Sequence, residues 1–168
     1  MTDMRSIRIA TPADFEAVGT LLERSYASLL AGHYDRNLLD LALPFMTRAN
    51  PRLLASGTYY VAAQEADYIV GCGGWSMERP GSGEITEGEG HIRHVAVHPQ
   101  WNGRGVGASL LARCFADARP HVRRLNCYST LNAEPFYQAC GFKTIGPIDI
   151  QMGPGVSFPS LLMLRELD

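Results

Sequence analysis

The chain has 168 residues, 46% hydrophobic and 19% charged, with a formal net charge of -2. That is one domain's worth of chain, able to bury roughly 70% of the surface its unfolded form exposes, so no disulfide or metal is needed to hold a core. The charge balance excludes a nucleic-acid sleeve, which needs a basic excess, and no stretch reaches the ~20 apolar residues of a membrane span.

Of the 15 basic residues, Lys143 alone is a lysine, so any Schiff-base chemistry rests on it. Cys72, Cys114, Cys127 and Cys140 form no C-x-x-C pair and have apolar neighbours, which reads as buried thiols in a reducing compartment. The polar start of the chain lacks an apolar h-region, and a cytoplasmic protein is expected.

Residues 6–10 alternate Ile7 and Ile9 with Arg8, a short strand. Thr11 then caps a helix with Pro12 at its first position, and Phe15, Val18, Leu21, Leu22 and Tyr26 recur at helical spacing. A break at 29–36 contains Gly32, and a second helical piece at 38–46 is interrupted by Pro44. Residues 58–63 and 68–75 read as a strand hairpin with a turn at 64–67. Residues 78–90 hold four glycines, a proline and four glutamates and form a loop. A strand at 91–97, a helix at 105–118, a strand at 122–128 and a short helix at 132–139 closed by Gly141 follow. The chain ends with a strand at 142–145, a Gly/Pro-rich loop at 146–158 and a last strand at 158–165. The order β-α-α-β-β-β-α-β-α-β-β describes one α/β domain, 1–168, a mixed sheet with helices on its faces.

The most informative segment runs from Gln100 to Leu111 and places Gly103, Gly105 and Gly107 across a strand-to-helix turn. Missing Cβ atoms let backbone N–H groups crowd one point, and a helix start adds unpaired donors and the positive end of its dipole. Such a turn binds phosphate or pyrophosphate. Gly103, Gly105 and Ala108 also fit the dinucleotide fingerprint, but residues 98–102 separate the turn from its strand. The next strand ends Asn126-Cys127-Tyr128, with no acid for a ribose. A nicotinamide-dependent oxidoreductase is therefore the weaker alternative, and the lack of Gly-Lys-Ser/Thr excludes a P-loop.

Val95-Ala96-Val97-His98-Pro99 followed by Asn102-Gly103-Arg104-Gly105-Val106-Gly107 resembles the acetyl-CoA motif of the GNAT N-acetyltransferases. Ala133-Glu134-Pro135-Phe136-Tyr137 through Gly141-Phe142 resembles that family's second motif, and the opening from Ile7 to Asp14 is typical of its first strand and helix. One departure is Asn102, which stands where Arg or Gln is usual. The resemblance implies a single-domain GNAT-type fold, a mixed, mostly antiparallel sheet flanked by helices with splayed central strands. Acetyl-CoA is then the co-substrate. Its pantetheine arm is expected on the backbone of Val95, Ala96 and Val97, with Asn132 beside it. Its pyrophosphate is expected on Asn102, Gly103, Gly105, Val106, Gly107 and Ala108, with Arg104 either a phosphate contact or a solvated surface residue.

The implied reaction is direct acetyl transfer to a primary amine of a small molecule or peptide in a ternary complex. By family analogy a backbone N–H near Val97 serves the oxyanion, and Tyr137 protonates the leaving thiolate. Family members often carry a base eleven residues before the Arg/Gln position, which here is His91; His94 and His98 are alternatives, and Glu89 is adjacent. An acceptor pocket is expected from Tyr26 and Tyr34, from Trp75 and Glu78, and from the loop at 146–158. Strand alternation puts His91 and His94 on opposite faces unless a bulge intervenes, so no metal is expected. Neither nucleic acid nor a membrane is an expected partner, and a homodimer remains an option. The alternative of another class is a non-catalytic acyl-CoA-binding module that keeps the fold and has lost its acceptor site.

Overall fold

A computed structural model describes residues 6–65 and 68–168; Met1–Arg5, Ala66 and Asp67, part of the expected 64–67 turn, lie outside it. Seven strands form one sheet: β1 (Ser6–Ile9), β2 (Tyr59–Ala63), β3 (Ile69–Ser76), β4 (Glu89–Val97), β5 (Arg124–Ser129), β6 (Lys143–Gly153) and β7 (Val156–Glu166). The order across the sheet is β1-β2-β3-β4-β5-β7-β6. The β4–β5 pair is parallel and the others are antiparallel. The helices are α1 (Phe15–Leu29), α2 (Arg36–Met46), α3 (Pro51–Leu54), α4 (Val106–Ala118) and α5 (Glu134–Ala139). None of the described helices is long and apolar enough to cross a membrane.

Local chemistry sets the helix starts. The Asp14 carboxylate accepts from the Thr11 N–H at 2.9 Å and from both terminal nitrogens of Arg8, closing a 3-10 turn ahead of α1. The Arg8 contacts hold its pKa below the ordinary carboxylate value. Asp35 accepts from the Leu38 N–H and caps α2. Pro44 does not interrupt α2 as the sequence predicts: the helix runs through it. The proline takes away the intrahelical donor of the Asp40 carbonyl, and Asp40 and Pro44 both lie on the exposed face of the helix. Asn50 caps the short α3, which the sequence reading does not anticipate.

Apolar stripes then pack on both sheet faces. On one, α4 buries Val106, Leu110, Leu111, Cys114 and Phe115 against Tyr60, Trp75, Ile92 and Leu125. On the other, α1 and α3 bury Val18, Leu21, Leu22, Leu53 and Leu54 against Tyr59, Val61, Cys72 and Ala96. A third cluster seats α2 on the end of the β6–β7 hairpin through Leu39, Ala42, Val156 and Phe158.

Residues 146–158 are a correction to the sequence expectation. They form no open loop: β6 and β7 are eleven-residue strands joined at Pro154-Gly155. The prolines fit because of where they fall. Pro147 lies on the sheet's edge strand, and Pro159 lies past Leu161, the last β7 residue that pairs with β5. A missing N–H costs little where no neighbouring strand needs it.

Two irregularities of β4 shape the centre of the sheet. It pairs with β5 only through Glu89–Arg124, Gly90–Leu125 and His91–Asn126, and the strands then part. Its pairing with β3 slips between Arg93 and Ala96, where His94 adopts a φ of 45°. At this level of the sheet Gly74 lets β2 come close. A Cβ there meets the Thr58 carbonyl oxygen and lies 2.6 Å from Tyr59 Cα. Both are backbone atoms that cannot swing aside, so Gly74→Ala should destabilise the fold by about 2 kcal/mol in urea unfolding.

Candidate active site

The parting of β4 and β5 opens a cleft of about 520 Å³. α1 supplies one wall, with Ser25, Tyr26, Leu29 and Leu30; the backbone of Val95, Ala96 and Val97 supplies the next. The turn into α4 forms the floor, and the segment from Thr130 to Tyr137 closes the far side.

The floor is built for an anion. Gly103 and Gly105 have φ of 78° and 81°, values that L side chains resist, and nothing lies within 4 Å of a Cβ placed on either. Among the described residues, no protein carbonyl accepts from the amides of Gly103, Gly105, Val106, Gly107 or Ala108. These are the orphan donors of a helix start, gathered at the positive end of a thirteen-residue helix. A diphosphate fits them, since it brings several acceptor oxygens and negative charge to one point. Asn132 adds a second unmet demand: its amide nitrogen donates to Leu29 O at 3.3 Å, while its Oδ1 is buried without a partner. An amide N–H of a bound chain would satisfy it.

All the residues assigned to the coenzyme from the sequence line this cleft except Arg104, whose guanidinium lies 4.7 Å from the centroid of the Trp101 ring. Tyr26 and Tyr137 line it too. Tyr137 is buried, edge-on to Phe136 and Phe142, and its hydroxyl meets the Cys127 thiol. Burial raises the phenol well above its ordinary pKa and pushes the thiol up to about 12, so both stay protonated at neutral pH. The Tyr26 hydroxyl donates to Val95 O at 3.3 Å.

The remaining sequence candidates lie elsewhere. Tyr34 stacks on Phe158 with centroids 4.3 Å apart. Its hydroxyl donates to Pro159 O at 2.7 Å and accepts from the Leu131 N–H at 2.8 Å, holding the segment that presents Asn132. Trp75 is core, stacked with His121 and donating to Tyr60 Oη. Glu78 borders a separate cavity. His91 is buried at the vertex of the strand fork, in a small void shared with Pro80, Asn126 and Tyr128, outside the lining of the cleft. Burial lowers its pKa, with Glu89 opposing, so its imidazole is neutral. His98 Nδ1 accepts from the Gln100 N–H and caps the turn before the floor.

His94 is the extra residue of the β4 bulge, and the backbone around it is pinned: Tyr59 Oη donates to its carbonyl at 2.8 Å. Ser25, like Trp101 and Thr130, is a cleft residue that sequence reasoning misses. It continues the buried stripe of α1, and its Oγ has no partner. A serine on an otherwise apolar helical stripe is the one signal that could have marked it.

A family model described as an acetyltransferase (GNAT) domain matches residues 40–156. No curated protein matches the sequence. Among solved structures, a GCN5-related N-acetyltransferase from Rhodopseudomonas palustris is 20% identical, with a TM-score of 0.72 over 99% of this chain and 98% of that one. The PaiA N-acetyltransferase of Thermoplasma acidophilum, solved with coenzyme A, is 15% identical, with a TM-score of 0.70 over 99% of each chain. N-acetylglutamate synthase from Neisseria gonorrhoeae, solved with coenzyme A and L-arginine, is 21% identical, with a TM-score of 0.62 over 99% of this chain but 34% of its own.

One pH effect arises at the bulge. Burial, then Arg93, lower the His94 pKa to about 4 from an ordinary 6.5. A depressed histidine pKa means that the folded state favours the neutral ring. That stability is complete above pH 6.5 and is lost as pH falls toward 4. Unfolding titrations should show a loss of at most about 3 kcal/mol across that window. His94→Gly, which suits the positive φ, should remove this component from the wild-type minus variant curve.

Proposed function

The chain belongs to the GNAT acetyltransferase family and is an acetyl-CoA-dependent N-acetyltransferase; from that premise we propose that it acetylates a primary amine of a small molecule or peptide by direct attack, with both substrates bound together. The observation that carries this reading is the cleft itself. Free amides on its floor, an unpaired amide oxygen at Asn132 and a protonated phenol at Tyr137 meet in one continuous space. A small acceptor is further supported by the N. gonorrhoeae N-acetylglutamate synthase, solved with coenzyme A and N-acetyl-glutamate.

Each residue has a task in this reading. The amides from Gly103 to Ala108 hold the diphosphate, and Asn102 leaves that work to the backbone. The edge of β4 at Val95–Val97, which has no β5 partner, offers its backbone to the pantetheine amides, and Asn132 Oδ1 accepts from one of them. A backbone N–H near Val97 faces the developing oxyanion. Tyr26 flanks the acceptor's approach, Tyr34 acts from outside the cleft by holding the segment that presents Asn132, and Trp75 and Glu78 border the separate cavity.

An alkylammonium of pKa ~10 must shed a proton before it attacks. His91 takes that proton through water: its ring is neutral at pH 7, and its place at the fork vertex, off the cleft, calls for an intervening molecule. Tyr137 acts when the sulfur leaves. A phenol raised by burial is a weaker acid than an ordinary thiol, yet the same desolvation raises the pKa of a departing thiolate. The phenol therefore donates a hydrogen bond to the sulfur and passes the proton as the C–S bond breaks.

Acetyl-CoA titrated by calorimetry should bind, and thiol release should be amine-dependent across an amine panel. Binding without turnover on any amine would instead make this an acyl-CoA-binding module. Tyr137→Phe should lower turnover about tenfold and leave acetyl-CoA affinity unchanged. His91→Ala should shift the pH–rate profile; an untouched profile assigns the proton to water alone.

A further inference from the structure

A second cavity of about 500 Å³ lies on the α3 side of β4, between the start of β2, the end of β3 and the loop beyond it. Three arginines border it, Arg52, Arg79 and Arg93, against one carboxylate, Glu78. Three arginines elsewhere carry a countercharge: Arg8 from Asp14, Arg113 from Asp117, and Arg124 from Glu89 and Glu166. Among the described residues, none of the three pocket arginines forms an ion pair, with Glu78 or any other acid.

Arg93 is the informative one. It is half-buried, and its side chain makes one hydrogen bond, from a terminal nitrogen to Ser76 Oγ at 2.9 Å. Its Nε is buried with no partner. Ser76 Oγ gives its own proton to Glu78 O at 2.8 Å, so it can only accept from the guanidinium and fixes that group's orientation. Burial lowers the Arg93 pKa, with the carboxylate of Glu78 opposing at a distance, the mark of a charge held at a cost. Arg79 is steadied as well, its Nε donating to Tyr128 Oη at 2.7 Å.

We propose that this pocket receives a carboxylate carried by the acceptor amine, with Arg93 as its main contact and Arg52 and Arg79 as its rim. The assignment rests on the acetyl-transfer reading and deepens it. An anion adds to the single carboxylate, Glu78, that the pocket sets against three arginines, and guanidinium–carboxylate pairing is charge-assisted. The acceptor is favoured over an unrelated anion because of the strand that carries Arg93. Tyr26, on the α1 and α3 side of the sheet that Arg93 also faces, lines the transfer cleft and donates to Val95 O, two residues on from Arg93. At ~3.3 Å per residue the two sites are within a short amine's reach.

The test uses ω-amino acids from glycine to 6-aminohexanoate, each beside its carboxamide. Acetyl-CoA-dependent thiol release gives kcat and KM, and calorimetry on the CoA-loaded protein gives binding. At one chain length the carboxylate should bind at least about tenfold more tightly than its carboxamide and show a correspondingly lower KM. Arg93→Gln should erase that preference, with Ser76→Ala and Arg79→Gln reducing it, while acetyl-CoA affinity stays at the wild-type value. If Arg93→Gln fails to bind acetyl-CoA, the other two variants carry the comparison. Carboxylate and carboxamide within twofold of each other at every length, by both readouts, overturns the proposal, as does a preference that survives all three substitutions. Carboxylate binding that leaves amine KM unmoved assigns a separate anion to the pocket and overturns the acceptor assignment. A wild-type protein that ignores acetyl-CoA refutes the family-level reading instead, and the CoA titration separates that case.

Discussion

The parallel pairing of β4 and β5 stops after His91–Asn126, while each strand stays paired along its outer edge. β4 stays with β3 through Ala96–Cys72 and Val97–Gly71, and β5 stays with β7 as far as Ser129–Leu161. The gap between them exposes strand-edge groups that a closed sheet would pair. A buried peptide group without a partner costs about 1–3 kcal/mol, so such a gap persists only where water or a ligand can fill it. The α4 entrance lies at the same opening and adds donors of its own. One interruption in one ladder thus brings strand edge, helix start and the α5 phenol to a common space.

The bulge at His94 makes that interruption specific. An extra residue in β4 shifts its alternation, so Arg93 faces the α3 side with Gly74 while Val95 turns to the other face beside Gly73. A positive φ at a histidine is strained and survives only because its surroundings insist on it. Tyr59 supplies that insistence through the His94 carbonyl, and Tyr26 does the same one residue on. The hydroxyls of buried Tyr59 and partly buried Tyr26 fix the backbone on which the transfer chemistry depends.

How much of this was legible in the sequence varies with the range of the cause. The helix entrance at Gly103–Ala108 and the cap at Thr11–Asp14 are local, and their chemistry can be read along the chain. The β6–β7 hairpin could not be read so, because Pro147, Pro154 and Pro159 spell a loop until the register shows which N–H positions face no partner. Pro44 misleads similarly: an exposed helix face tolerates what an interior would not. His91 is reached by counting back along one strand, but whether it meets the cleft depends on Pro80 and Tyr128, which arrive from other segments. Arg93 reads as an ordinary surface charge; its depth and missing partner appear only when β2, β3 and α3 are in place.

The width of the fork is set from outside the sheet. Tyr26 ties α1 to β4 at Val95 O, and Asn132 ties the far wall back to Leu29 O at the end of the same helix. Tyr34, in the turn after that helix, joins β7 to the segment carrying Asn132. Both arms of the fork are therefore referenced to one helix. A coenzyme arm entering the gap meets Val95 O already engaged by Tyr26, through a long bond of 3.3 Å. A carbonyl oxygen has two lone pairs, so Val95 can accept from the arm without releasing the tyrosine. In that arrangement α1 holds its place as the cleft fills, and the wall that carries Ser25 and Tyr26 is already built when the acceptor arrives.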